Sequence, residues 1–408
     1  MPQLIFLTVY LGLVAGPQPV ELRADGVRAI RLLLDGAPVE TLTKPPWKTT
    51  VDLGPLQPRE IVAIGLDGNG AEVIRSSQLI NVPRDTAEAE IVVERGESGA
   101  PVRATVSGRH VSYAAPHRVT LHLDNTRLKV DQHDSARLPP IDLKRPHVLA
   151  AEVRFEDGSV ARRELVIGGE FGETMPTQLT PVCVTATTPE MTIEKPDPFV
   201  IIVRDVDPRP IESALAYSTL KHGEIDVEGM KRAASLDPAT SVQILLPMPA
   251  RVIAPEQPTA IVFPISPAID ASRGGLFRII TTVILRVKSA APTQWADAVA
   301  VAGVEAVATG RRRAVILVLG KSPDASHYSP ADVRRYLAAI GVPLFVWSVD
   351  GPRPDLAGSW GEVVDVSTME KMDAAGAVVR GALEVQRIAW MRGEPVAALR
   401  ASSCGAAR

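Results

Sequence analysis

The sequence predicts a multidomain chain, two all-β sandwiches in tandem followed by an α/β doubly wound domain. Three observations predict it. The chain has 408 residues, too many for one ordinary core. A pattern of short apolar runs between turn residues at 27–73 recurs at 116–165. From residue 199 onward, short apolar strands alternate with helical patterns instead.

Composition narrows the function classes. Hydrophobic residues make up 46% and charged residues 22%, which is globular rather than disordered. Lys+Arg total 44 against 47 Asp+Glu, a net charge of −3, and the only dense basic cluster is the short Arg311-Arg312-Arg313. No basic field recruits nucleic acid, and with 4% aromatics there is little to stack on bases. Two cysteines, Cys183 and Cys404, allow one bridge, although the small-residue tail SSCGAAR around Cys404 reads against it.

The first 20 residues carry no charged side chain, and Leu4 to Ala15 is nearly all apolar. That is the length of a signal-peptide core and too short for a stable transmembrane span. Residues 1–17 therefore read as an export leader, and the protein as extracellular or periplasmic. The alternative is a buried first strand.

The first β-unit is assigned to 18–85 and the second to 86–180. Their layouts match at an offset of 89 or 90 residues. Leu34-Asp35-Gly36 answers to Leu123-Asp124-Asn125, Val51-Asp52-Leu53 to Ile141-Asp142-Leu143, and Asp67-Gly68 to Asp157-Gly158. Asp-Gly and Asp-Asn tolerate the positive φ angles of tight hairpins, so these pairs punctuate antiparallel strands. Strands such as Val119–Leu123 alternate with period two, one face buried and one wet. An offset of about 90 residues is too long for a solenoid repeat and suits a small sandwich. The first unit also resembles bacterial Ig-like domains, through LDG at 34–36, PPW at 45–47 and VDLG at 51–54. The acidic turns lack the D-x-D-x-D density of a calcium loop.

Residues 181–196 read as a linker, 197–393 as the α/β domain and 394–408 as a flexible tail. Candidate strands are Phe199–Val203, Val242–Leu246, Ala260–Phe263, Ala314–Leu319, Pro343–Val349 and Glu362–Val366. Ser329, Pro330 and Asp332 open a helix as N-cap, first residue and capping box, and Gly341 ends it. The flanking strands are then parallel and joined right-handedly. Ser367 with Glu370 opens the last long helix.

In such sheets ligands bind beyond the carboxyl ends of the strands. The first strand ends in RDVDPRP at 204–210, with neither a glycine-rich turn nor a Walker loop. Residues 195–395 resemble the von Willebrand factor A domain, in the bacterial von Willebrand factor A-related form preceded by Ig-like strands. The resemblance rests on FVIIVRDVD (199–207), APTQWADAVAVAG (291–303), RRAVILVLG (312–320) and VPLFVWSV (342–349).

It implies a metal-ion-dependent adhesion site built from D-x-S-x-S, a distant threonine and a distant aspartate. Asp205 matches the first aspartate, Asp207 and Arg209 stand at the serine positions, and Thr293 matches the threonine. Leu319 stands where the second-loop aspartate is usual, with Asp324 a few residues on. A guanidinium offers no lone pair and a leucine offers no oxygen, so the site reads as degenerate. The contact face would then include Arg209, Gln294, Ser322 and Ser326. The alternative is a rebuilt Mg²⁺ or Mn²⁺ site of Asp205, Asp207, Thr293 and Asp324.

No other chemistry is persuasive. Asp324, Ser326 and His327 are the residue types of a hydrolase triad, but near neighbours in sequence rarely reach relay geometry, and no G-x-S-x-G elbow exists. The expectation is a noncatalytic protein-interaction or adhesion protein of the cell envelope without a cofactor. Its partner is an unidentified protein, and its β-modules are spacers. An envelope hydrolase is the more distant alternative.

Overall fold

The structure is a computed structural model. It describes the whole chain except residues 1, 11, 112, 170–174, 178, 186–192, 206, 209–210, 212–219, 222–223, 226–233, 253–258, 284, 286, 290, 394 and 406–408.

Two antiparallel sheets face each other in the first module. One is Gln3–Phe6, Pro17–Asp25 and Lys48–Asp52; the other is Ala37–Leu42, Ala29–Leu34, Arg59–Leu66 and Glu72–Ile80, each in spatial order. Alternate residues point inward, so Ile30 and Leu32 meet Ile61 and Ala63 in a core closed by Trp47. The second module repeats the plan with a core of Leu121, Leu149, Val153 and Phe155. Both are two-sheet sandwiches, the architecture of Ig-like modules.

The apolar segment read as a leader is built into the first module. Gln3–Phe6 pairs with Leu22–Asp25, Leu4 is buried, and the Val14 amide donates to Asn81 Oδ1 at 2.8 Å.

The repeat survives in atomic detail. Asp35 and Gly36 have φ of 51° and 81°, and Asp124 and Asn125 have 47° and 66°. Each pair makes a two-residue hairpin turn that needs left-handed backbone at both positions. Asp52 Oδ1 accepts from Gly54 N at 2.8 Å, and Asp142 Oδ1 accepts from Lys144 N at 3.1 Å. Asp67 and Asp157 cap their own hairpins in the same way, accepting from Asn69 N and Ser159 N. These four carboxylates each accept from the amide two residues on.

Six strands form the sheet of the C-terminal half, in spatial order Ile269–Asp270, Ser241–Leu245, Pro198–Val203, Arg312–Leu319, Leu344–Ser348 and Val363–Asp365. The first is antiparallel and the rest are parallel. Arg312–Leu319 is buried along its whole length, as a strand covered on both faces must be. Val200 and Ile202 meet the helices Leu276–Thr282 and Met369–Val385. Ile201 and Val203 meet Trp295–Ala308, Pro330–Ala339 and Pro354–Trp360 on the other face.

Ser329 caps Pro330–Ala339 as expected, accepting from Asp332 N at 3.1 Å. The last long helix is capped by Thr368, one residue beyond the expected Ser367, whose amide donates to Asp365 instead. The expected strand Ala260–Phe263 is not in the central sheet. Thr259–Ile261 pairs with Ala250–Val252 in a small separate sheet.

Three further readings change because contacts distant in sequence decide them. The stretch read as a linker, 181–196, supplies Ile193–Glu194 and most of Leu179–Val184, two strands that flank Arg387–Arg392 in a three-stranded sheet. The tail read as flexible forms a helix, Pro395–Arg400. Cys404 is then joined to Cys183 by a disulfide, against the reading of its small-residue setting. Arg311, Arg312 and Arg313 are all buried and donate mainly to backbone carbonyls.

The β-modules do not stand off as spacers. Leu56 of the first enters the α/β core, and the buried Tyr336 hydroxyl donates to Asn81 O at 3.0 Å. Arg311 of the α/β domain donates to Asp157 O of the second module at 3.0 Å. That contact lies at the amino ends of the central strands, while the Tyr328 hydroxyl donates to Leu13 O of the first module at 2.6 Å. Among the described residues, no helix is long and apolar enough to cross a membrane.

Candidate functional site

The carboxyl edge of the central sheet is built by two strands and one helix. Pro198–Val203 is buried throughout and delivers Arg204 and Asp205 to the edge. Beside it, Arg312–Leu319 delivers Gly320. A Cβ on Gly320 would lie 3.1 Å from Asp205 Oδ2 and 3.0 Å from the Trp295 ring. Glycine therefore lets this loop close over Asp205 where a side chain would crowd both neighbours.

Arg204 ends the apolar run and stands beside Asp205 and Asp207. It is fully buried; one guanidinium nitrogen donates to Asp205 O and another to Val283 O. Burial pushes its pKa down to about 10, and the charges of Asp205 and Asp207 oppose that shift. It therefore stays cationic at neutral pH, next to the aspartates it balances. The available signal was a charged residue ending an otherwise apolar strand. A buried charge needs a partner, and the two following aspartates supply one.

The structure also assigns roles to Asp324 and Ser326. Asp324 Oδ1 accepts from Trp295 N at 2.9 Å and from Ser326 N at 3.0 Å. Ser326 Oγ accepts from Ala296 N at 2.9 Å and Asp297 N at 3.2 Å, while donating to Asp324. In return, Asp297 accepts from His327 N at 2.8 Å and Tyr328 N at 3.0 Å. The helix Trp295–Ala308 has no cap from its own Gln294, so the loop at 322–328 satisfies its first amides from across the fold.

Thr293 and Gln294 sit in the turn before this helix. Thr293 is buried and its carbonyl accepts from Ala325 N at 2.8 Å; Gln294 N donates to Pro247 O at 2.6 Å. Ser322 is exposed, and its carbonyl accepts from Trp295 Nε1 at 3.1 Å. The structure thus brings Asp205 and Trp295 together around Gly320, and Asp324 and Ser326 together on the helix end. Arg209 lies outside the described residues.

This donor set fits a divalent ion poorly. A buried guanidinium already balances the two strand-end aspartates, and Asp324 is engaged in capping. Among the described residues, no group of three or more His, Cys, Asp or Glu is placed to hold a metal. Nor is the triad assembled: the Ser326 hydroxyl donates to Asp324, and the His327 ring packs edge-on against Tyr328.

A cleft of about 450 Å³ lies elsewhere, along the seam of the second sandwich, between Asp85, Glu88 and Glu90 and the arginines Arg109, Arg162 and Arg163. Desolvation there, with Glu88 adding to it, pushes Asp85 up to about 6.

No family model and no curated protein matches the chain. Among solved structures, the chain is similar to the fibronectin(III)-like modules of CbhA from Clostridium thermocellum. They are 11% identical over 41% of this chain and 94% of that one, with a TM-score of 0.17. The central fibronectin-III array of RIM-binding protein is 12% identical over 47% and 73%, with a TM-score of 0.20. A β-glycosidase from Bacteroides vulgatus is 12% identical over 41% and 24%, with a TM-score of 0.22. Likeness this distant carries no argument, and the sandwich assignment rests on the strands described above.

Proposed function

We propose that this chain is a noncatalytic protein-interaction or adhesion protein of the cell envelope, and that its C-terminal half works as a von Willebrand factor A-like domain without a metal ion. The observation that carries the reading is the buried Arg204 guanidinium beside Asp205 and Asp207, a built-in cation where the resemblance would place a dication. The partner would meet the carboxyl edge of the sheet around Asp205, Gln294 and Ser322. The two sandwiches support an interaction role, and the Cys183–Cys404 bridge fits an oxidising compartment such as the envelope.

Thermal unfolding in Mg²⁺ or Mn²⁺ tests it. Any ion that binds only the folded state raises the midpoint by mass action. The midpoint is expected to stay constant up to millimolar metal; a rise would favour the cation-dependent reading. A pull-down from envelope extract with the full chain should then retain its partner in chelator and lose it for Ser322→Arg.

A further inference from the structure

We propose that the Cys183–Cys404 disulfide is a redox-sensitive clasp that couples the carboxyl-terminal segment to both the first sandwich and the α/β domain. The bond joins residues 221 apart in sequence. One cysteine lies on the strand Leu179–Val184, the other just beyond the helix Pro395–Arg400. Six residues are too few for a helix to hold its own shape in water, so this one depends on what it docks against.

Its docking partners lie in three places. Ala398 packs on the small sheet that carries Cys183, and Leu399 enters the α/β core. Arg400 reaches the first sandwich, donating to Asp35 Oδ2 at 2.8 Å. Past the helix, Ser402 Oγ and Ser403 N both donate to Cys183 O, at 2.8 and 3.0 Å, and Thr185 N donates to Ser403 Oγ at 3.0 Å. The segment then crosses the end of Pro330–Ala339 so closely that only glycine fits. A Cβ on Gly405 would lie 2.5 Å from Ala338 O, and one on Gly341 would overlap Ser402.

A dithiol would open the clasp. Its thiolate attacks the Cys404 sulfur, Cys183 leaves as a thiolate and takes a proton, and the second thiol resolves the mixed disulfide. Cys404 ends as a thiol and the reductant as a disulfide. Cys183 is fully buried and Cys404 nearly so, so attack follows fraying of the segment.

Amide hydrogen exchange on the full chain, oxidised and after dithiothreitol, tests the proposal. Exchange should rise about tenfold or more at 338–342 and at 33–36, with 147–155 in the second sandwich unchanged. Cys404→Ser should reproduce that pattern without reductant. Arg400→Gln, with the bond intact, should raise exchange at 33–36 alone. The proposal is overturned if dithiothreitol cannot open the bond in the folded protein. It also fails if exchange at 338–342 and 33–36 ignores reduction, if the rise is equal across 147–155, or if Arg400→Gln leaves 33–36 protected.

Discussion

The two sandwiches solve the same local problem with different chemistry. In each, a hairpin aspartate in left-handed backbone accepts from the amide of the second residue of the facing strand: Glu60 N to Asp35, and Val148 N to Asp124, both at 2.9 Å. In each, the other carboxylate oxygen meets the side chain one residue earlier. That side chain is Arg59 at 2.7 Å in the first module and His147 at 2.6 Å in the second. The surroundings differ. Asp35 is 12% exposed and is shared with Arg400, whereas Asp124 is 48% exposed and has one ring for a partner. A repeated turn therefore fixes geometry, while burial and the choice of cation decide how much the turn contributes.

The largest expected difference comes from removing each charge while keeping a residue that tolerates positive φ. Asp35→Asn leaves two arginines facing a neutral amide and should lower stability by about 2 kcal/mol, in the range of hydrogen bonds to charged groups. Asp124→Asn, at a wetter pair, should lower it by less than about 1 kcal/mol. Denaturant midpoints at neutral pH measure both. Equal losses would break the comparison and make the turns energetically equivalent.

Acidity sharpens it next. The hydrogen bond to Asp124 raises His147 above its usual 6.5, and bonds from His147 and Val148 hold Asp124 below its usual 3.8. A raised histidine stabilises fully below 6.5, and its ionic part is lost as pH climbs through the folded-state value. A lowered aspartate stabilises above 3.8, and that is lost as pH falls through its folded-state value. The Val148 amide, corrected for intrinsic exchange, should therefore lose protection as pH rises above 6.5 through the raised folded-state value of His147, while Glu60 keeps its own. His147→Arg should remove the dependence. A Val148 amide whose protection ignores pH would show that the ring contributes only as a neutral hydrogen-bonding group.

The sequence carried the turns because they are local. An Asp-Gly or Asp-Asn pair is legible as a tight turn, and the matching offset of three aspartate sites exposed the duplication. Apolar runs buried on both faces, such as Arg312–Leu319 beyond its arginines, were equally legible. Missed features depend on contacts distant in sequence. Asp324 and Ser326 cap a helix about thirty residues away, Cys404 finds Cys183 across 221 residues, and Arg311 spans to the second sandwich. Nothing in SSCGAAR reports that the tail is pinned, because the pinning atoms belong to Cys183 and Thr185. At the candidate site, the motif positions were legible but their engagement was not. An aspartate looks the same in sequence whether it faces solvent or caps a helix.

The smallest test exchanges the second turn residues, Gly36 and Asn125. A Cβ on Gly36 would meet nothing within 4 Å, so only its φ of 81° resists a side chain. Asn125 is exposed and already left-handed, with φ of 66°. Gly36→Asn should then lower stability by less than about 1 kcal/mol, and Asn125→Gly should change it by no more than about 0.5 kcal/mol. Valine at either position would add the left-handed penalty of about 1–2 kcal/mol for a residue with a Cβ. If Gly36→Asn proves as damaging as Gly36→Val, crowding at the turn outweighs backbone conformation. The first hairpin would then be constrained by what docks against it, Arg400 included.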